Sequence, residues 1–230
     1  MQVNGYPVVL LAEPRTVRLV ATARLRDPVL LGLVNKDQLD DLAEIEGATS
    51  GRLTAQAIGS ARLERGELVA GIPHAYFINA AFAYWRPRDL NRFNGPDRGA
   101  WYAAFVVETC LAEVTFHMTR ELARVGEYQA VVDYAEMFAA FAGHFIDLRK
   151  VMPMPPCLDT DPAKGYPAGN GLAQACIAAG HNGIVYPSVR RPEGDCLVAL
   201  LPQAVQSVAQ GGVLRLTWRG KPQPGIARLA

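Results

Sequence analysis

The chain has no GxxxxGK[ST] phosphate loop, no GxGxxG turn, no HExxH helix and no GxSxG elbow. The phosphate-loop, Rossmann, zincin and α/β-hydrolase chemistries therefore have no motif to rest on. Cysteine is sparse. Cys110, Cys157, Cys176 and Cys196 lie far apart, with no CxxC pair and no histidine at ligand spacing. Neither a zinc site nor a thioredoxin-like motif is readable, and reduced structural thiols in a cytoplasmic protein are the expectation. Excess charge of one sign is missing as well. Lys and Arg number 23 against 22 Asp and Glu, for a formal charge of +1, and no basic run stands out. Direct nucleic-acid binding is not expected from such a surface. No apolar run approaches the roughly 18–20 residues of a membrane span. The start, MQVNGYPVVLLAEPR, has no basic region ahead of its short apolar stretch, so neither a signal peptide nor a membrane anchor is expected.

What remains is an ordinary globular composition: 230 residues, half of them hydrophobic and 20% charged. A globule of this size buries roughly 70–75% of its unfolded surface, enough to hold together without disulfides or metal. The segment TVRLVATAR alternates as a strand over Thr16 to Ala23. Asp37 to Gly47 reads as a short amphipathic helix, and Thr49 or Ser50 offers an N-cap for a second. ELVAGIP and HAYFINAAFAYW read as β-rich until Pro87 and the charged RPRDL break the run. WYAAFVV, Trp101 to Val107, reads as a buried strand. ETCLAEVTFHMTRELARVG is the clearest helix, with Leu111, Val114, Met118, Leu122 and Val125 at helical spacing and Gly126 placed to end it. One or two strands are expected around Ala139 to Gly143. The Pro/Gly-rich VMPMPPCLDTDPAKGYPAGNG reads as a long loop of the kind that carries function. LAQACIAAG follows as a small-residue helix, then strands in HNGIVYPSV, CLVALLPQ and GGVLRLTWRG. Short strands and helices without a βαβ rhythm indicate an α+β fold with a mixed sheet.

Three places offer chemistry. In RFNGPDRGAWYAA, Arg92 opens a glycine loop and Tyr102 closes it. The arginine reads either as a surface residue holding the turn or as a fork for phosphate or carboxylate. The tyrosine reads either as half-buried packing or as a plate for a flat heteroaromatic ring. On the long helix, His117 lies one turn after Glu113; with Arg120, Glu121 and Arg124 the pair also reads as a solvated polar face. Ser188, at the end of the β-run in NGIVYPSVR, reads as a turn serine or as a hydroxyl that orients a ligand. His74, His144 and His181 are scattered and suggest no site.

Taken in order, RFN at Arg92 to Asn94, WYAA at Trp101 to Ala104, CLAEV at Cys110 to Val114 and NGIVYPSVR at Asn182 to Arg190 resemble the RES-domain family. That family is named for an Arg, a Glu and a Ser and is best known as the toxins of Xre–RES toxin–antitoxin modules. The resemblance covers about Arg92 to Pro202 and continues more loosely upstream through TVRLVATAR. It implies one domain over 1–230, with 1–70 an N-terminal elaboration, and a mixed, split β-sheet flanked by helices that resembles the ADP-ribosyltransferase fold. It also implies that NAD is consumed as a substrate, with no metal. By the resemblance, Arg92 holds phosphate or ribose, Tyr102 stacks on nicotinamide, Glu113 sits at the nicotinamide ribose and Ser188 orients that end. Arg18, in VRLV, would be a second arginine for the pyrophosphate, with Phe93 and Arg190 completing the dinucleotide contacts. The implied partners are a cognate Xre-type antitoxin and, if protein is the acceptor of ADP-ribose, a target protein; phosphate and water are the other acceptors.

Chemistry supports this assignment. Breaking the nicotinamide–ribose bond leaves positive charge on the sugar, and one preorganised carboxylate beside it is worth about 10²–10³ in rate. Glu113 lies opposite the apolar stripe of its helix, so that face is expected to look into the ligand cleft, with His117 lining it. The competing reading is a non-catalytic NAD-binding or protein-interaction module on the same scaffold.

Overall fold

Two long strands organise the molecule. The structure, a computed structural model, describes residues 2–24, 65–83, 90–96 and 98–229. The helices expected at Asp37 to Gly47 and after Thr49 lie outside the described residues. So do the end of the aromatic run and most of RPRDL.

The strands are β1 (Gln2–Val3), β2 (Tyr6–Ala21), β3 (Trp101–Ala104), β4 (Gln129–Asp147), β5 (Gly183–Pro187), β6 (Asp195–Ala199), β7 (Val205–Arg219) and β8 (Gly225–Leu229). The helices among the described residues are α1 (Ala75–Ala83), α2 (Val107–Val125) and α3 (Pro162–Ala178). The strands form one sheet in the order β1-β2-β3-β6-β5-β4-β7-β8, with an additional pairing of β2 to β4. β2 runs antiparallel to β4 from Val8↔Ile146 to Ala21↔Tyr134, touches β3 at Val17↔Ala104, and β3, β6 and β5 return to β4. Those five strands close on themselves, while β7 and β8 extend from the first half of β4. This is the mixed, split sheet of an α+β protein.

β4 is a single strand of 19 residues, longer than expected. One edge of it pairs with β7 as far as Phe141↔Val205 and with β5 from Phe145↔Gly183. Gly143 lies between the two, with φ 127°. That backbone suits glycine, and a Cβ there would collide with the Asn182 side chain. Asn182 fills the split by accepting from His144 N–H at 3.0 Å. β2 pairs with β1, β3 and β4, so residues 6–21 are part of the sheet.

Side chains alternate across the strands, so the sheet feeds two cores. One face packs Leu111, Val114, Met118 and Leu122 of α2 and Leu172 and Cys176 of α3 against Ile184, Tyr186 and Val198. The other packs Ile78 and Phe82 of α1 against Trp101, Met137, Phe145 and Leu197. α2 ends at Gly126 in the left-handed conformation, as its sequence indicates.

α1 corrects the β reading of HAYFINAAFAYW. Ile78 and Phe82 are both fully buried, and their four-residue spacing places them on one helix face; each contributes about 1.5–3 kcal/mol by leaving water. ELVAGIP follows on from a 3-10 turn at Arg65–Glu67 as irregular chain, not a strand. The Pro/Gly-rich loop is also shorter than expected, because α3 begins inside it. Asp161 caps α3 by accepting from Ala163 N–H, and Pro162 occupies the first turn, where a missing N–H costs nothing. WYAAFVV gives a strand only to Ala104 before α2 begins at Val107. β8, paired on one edge to β7, has no counterpart in the sequence reading. Among the described residues no helix is long and apolar enough to cross a membrane.

Candidate active site

The RFN turn is held from three sides. Asn91 N–H donates to Asn94 O at 2.9 Å and closes it. Phe93 is 1% exposed and meets Tyr186 edge-on, with ring centroids 4.9 Å apart. Its ring belongs to the core, which corrects the expectation that it faces a dinucleotide. Tyr102 reaches back from β3: its hydroxyl accepts from Phe93 N–H and donates to Asn94 Oδ1, both at 2.9 Å. Burial of that end pushes the phenol pKa well above its usual value, while the residue as a whole is half-buried. Arg92 is buried, and its Nη1 donates to the carbonyls of Cys157 at 2.6 Å and Asp159 at 3.0 Å. Its guanidinium also lies 5.3 Å from the Tyr166 ring centre. A Cβ at Gly169 of α3 would collide with the Arg92 carbonyl, so glycine there lets helix and turn approach.

Across from the turn, α2 and the end of β5 bring together two residues that lie 75 positions apart in the chain. Ser188 Oγ donates to Glu113 Oε1 at 2.7 Å, a short hydrogen bond to a charged acceptor. Ser188 Oγ in turn accepts from the Arg190 and Arg191 backbone N–H groups, each at 3.2 Å. With those donors at its lone pairs, the hydroxyl proton is directed to Glu113. The Cys196 thiol lies 4.0 Å from the same carboxylate oxygen.

Cationic side chains surround the pair. Arg190 places its guanidinium 3.5 Å over the Phe116 ring and donates to Thr160 O at 3.1 Å. Burial lowers its pKa, and Glu113, Arg92 and Arg120 lie close enough to act on it. His117 is pulled down to about 4, first by burial and then by Arg120, Arg190 and Arg92, so it is neutral at pH 7. The buried Tyr186 phenol, raised chiefly by burial, feels Cys196, Glu113, Tyr102 and Arg92 together. Arg92, Tyr102, Glu113, Ser188 and Arg190 thus converge on one region. Arg18 lies 4.9 Å over Trp101 and donates to Ala100 O, and its charge also acts on the Tyr102 phenol. The Glu113 face of α2 looks towards Ser188.

Order, spacing and geometry agree with one family, and a model of the RES domain matches residues 68–219. The chain belongs to the RES-domain family. Membership supports a general NAD-related toxin role for this RES protein. It is also similar to the uncharacterized protein y4oC of Sinorhizobium fredii (strain NBRC 101917 / NGR234). The two are 26% identical over 190 residues, covering 82% of this chain and 76% of that protein.

Two cavities lie along α2, the helix that carries Glu113. One, of about 290 Å³, is walled by Arg120, Arg124, Tyr166 and the start of α3 at Pro162 and Ala163. The other, of about 700 Å³, runs along α2 and includes Phe116 and Arg190 in its wall. Neither has Glu113 or Ser188 in its wall. Sequence reasoning left Arg120 on a solvated face and Tyr166 in a loop. The spacing Glu113, His117, Arg120, Arg124 was the available signal, since all four share one side of a helix. The four cysteine thiols are free and buried. Burial pushes Cys157 up to about 11 and Cys110 and Cys176 up to about 12, and raises Cys196 further still. Thiolate nucleophiles are disfavoured at all four.

Proposed function

We propose that this RES domain cleaves the nicotinamide–ribose bond of NAD and passes ADP-ribose to an acceptor, acting as the toxin of a toxin–antitoxin pair. The observation that carries the reading is the 2.7 Å hydrogen bond from Ser188 to Glu113, with Arg92, Arg120 and Arg190 grouped around it.

The residues present fit a dinucleotide. Arg120 Nε is buried and finds no hydrogen-bond partner among the described residues, so a phosphate oxygen would satisfy a donor that is otherwise costly to bury. Arg92 has five N–H donors, and those on Nη1 serve the Cys157 and Asp159 carbonyls. Its Nε and Nη2 are the donors for a phosphate. Neutral His117 adds no competing positive charge and offers one donor and one acceptor. The half-buried Tyr102 ring, fixed through its hydroxyl, supplies a plate for nicotinamide.

As the glycosidic bond breaks, its electron pair moves to the nicotinamide nitrogen and positive charge grows at the ribose carbon. Glu113, with one oxygen fixed by Ser188, is a preorganised anion for that charge. Ser188 fixes the carboxylate plane and needs no reorganisation during the step. The cognate antitoxin would act by covering this region.

The test is a time course of NAD with purified protein, following free nicotinamide by mass. Glu113→Gln keeps the shape and removes the charge, and should slow release about 10²–10³-fold with an unchanged melting temperature. Release at the wild-type rate from that variant would remove Glu113 from the chemistry. No release from the wild type would leave the non-catalytic module as the function.

A further inference from the structure

The loop from Ser188 to Gly194, between β5 and β6, is closed on itself. Ser188 N–H donates to Gly194 O at 2.6 Å, and Gly194 N–H donates to Arg191 O at 3.1 Å. Inside the loop Glu193 holds φ 64°, a left-handed backbone that a residue with a side chain keeps only where its surroundings impose it. Arg191 has two attachments here. Its backbone N–H donates to Ser188 Oγ at 3.2 Å, and its side-chain Nη1 donates to Thr109 Oγ1, also at 3.2 Å.

Thr109 is fully buried and lies on α2 one turn ahead of Glu113. The two side chains therefore share a face, about 6 Å apart along the helix axis. The loop meets that face twice, with Ser188 on Glu113 at 2.7 Å and Arg191 on Thr109. Gly194 packs on the same threonine, and a Cβ there would collide with its side chain. One contact fixes a distance and leaves rotation about it. Two contacts a turn apart fix the angle as well.

We propose that Arg191 is a positioning residue for the Glu113–Ser188 couple, with Thr109 as its anchor on α2. The inference rests on NAD cleavage at Glu113. Arg191 acts through the serine: its N–H holds the hydroxyl oxygen, while its side chain ties the loop to the helix that carries the acid. A fixed anion is effective because it need not move as charge develops, and a displacement of about 1 Å at such a site can cost about 10²-fold. Other contacts hold α2 itself. Phe105 N–H, just ahead of the helix, donates to Asp195 O at 3.3 Å, and Leu111, Val114 and Met118 pack into the core. Cutting the Arg191 tether should free the loop and leave the helix in place.

The experiment measures kcat and KM for nicotinamide release from NAD with the full chain, together with the melting temperature. Arg191→Met keeps an apolar stem and removes every side-chain donor, and Arg191→Lys restores a donor. Thr109→Val keeps the shape and removes the acceptor, and Thr109→Ser restores it. Arg191→Met and Thr109→Val should each lower kcat about tenfold, the low end for one hydrogen bond to a charged group. KM should stay within about twofold, since no substrate contact is lost. Arg191→Lys and Thr109→Ser should recover most of the rate. The double variant of Arg191→Met and Thr109→Val should be no slower than the slower single, because both cut one contact. Penalties that multiply there overturn the proposal. A raised KM with kcat unchanged makes Arg191 a dinucleotide contact and overturns it equally. So does a lowered melting temperature with wild-type kinetics, which leaves the tether a purely structural role. Should Arg191→Met fail to fold, the comparison of Thr109→Val with Thr109→Ser decides: equal rates overturn the proposal. Full kcat in Arg191→Met overturns this inference alone, whereas no release from the wild type overturns the NAD reading with it.

Discussion

Replacing Ser188 by alanine removes one hydroxyl from the centre of the candidate site and tests how Glu113 is held. The lost interaction is an O–H···O bond of 2.7 Å to a carboxylate. Hydrogen bonds to charged groups contribute roughly 1.5–3 kcal/mol. If that energy serves mainly the arrangement of the transition state, the rate should fall by about 10- to 150-fold, at 1.36 kcal/mol per tenfold. The N–H groups of Arg190 and Arg191 also lose their acceptor, but they lie in a partly exposed turn that water reaches. Stability should therefore change less than rate. The assay is nicotinamide release under saturating NAD, for wild type, Ser188→Ala, Glu113→Gln and the double variant. Because the serine is argued to act through the glutamate, the double variant should be no slower than Glu113→Gln alone. Multiplying penalties would show that Ser188 touches the substrate independently. A Ser188→Ala enzyme with full rate would mean that this hydrogen bond does not position the acid.

Two further outcomes separate holding from chemistry. Tyr102→Phe removes the hydroxyl that serves Phe93 N–H and Asn94 Oδ1, and leaving those groups unpaired should cost about 1–3 kcal/mol in urea unfolding; an unchanged midpoint would show that water replaces the hydroxyl and that the turn does not depend on it. His117, ordinarily near 6.5 and held at about 4 in the folded chain, takes up its proton first in the unfolded state as pH falls. Its contribution is complete above about pH 6.5 and fades towards pH 4, amounting to on the order of 3 kcal/mol. His117→Gln should flatten the stability profile across that window, and an equally steep loss in the variant would place the titrating group elsewhere.

The sequence showed most where one pattern had one meaning. The stripe from Leu111 to Leu122 with Gly126 after it has only a helical solution, and α2 is there. The aromatic run from His74 to Trp85 satisfied a β reading through composition, while the buried Ile78 and Phe82 followed the period of a helix. Pro162 and Pro167 read as loop residues because proline has no N–H to give a helix interior, yet Asp161 and Pro162 together open α3 and Pro167 lies inside it. Glu113 and Ser188 illustrate the limit for the site. Seventy-five residues separate them, so no local spacing joins them, and only the ordered motifs of the family suggested the pair. The work done by the Tyr102 hydroxyl was not legible at all, because it depends on how a nine-residue loop folds back on its own strand.

The pairing of β2 with β4 also sets a timetable. Residues 8–21 find their main partners at 134–146, more than a hundred positions later, so the first long strand leaves the ribosome well before it can be covered. The RFN turn and Glu113 emerge next, and Ser188 follows after β5. Sheets joined by such distant contacts close late and slowly. A chain interrupted anywhere before Ser188 would carry the acid without the hydroxyl that fixes it.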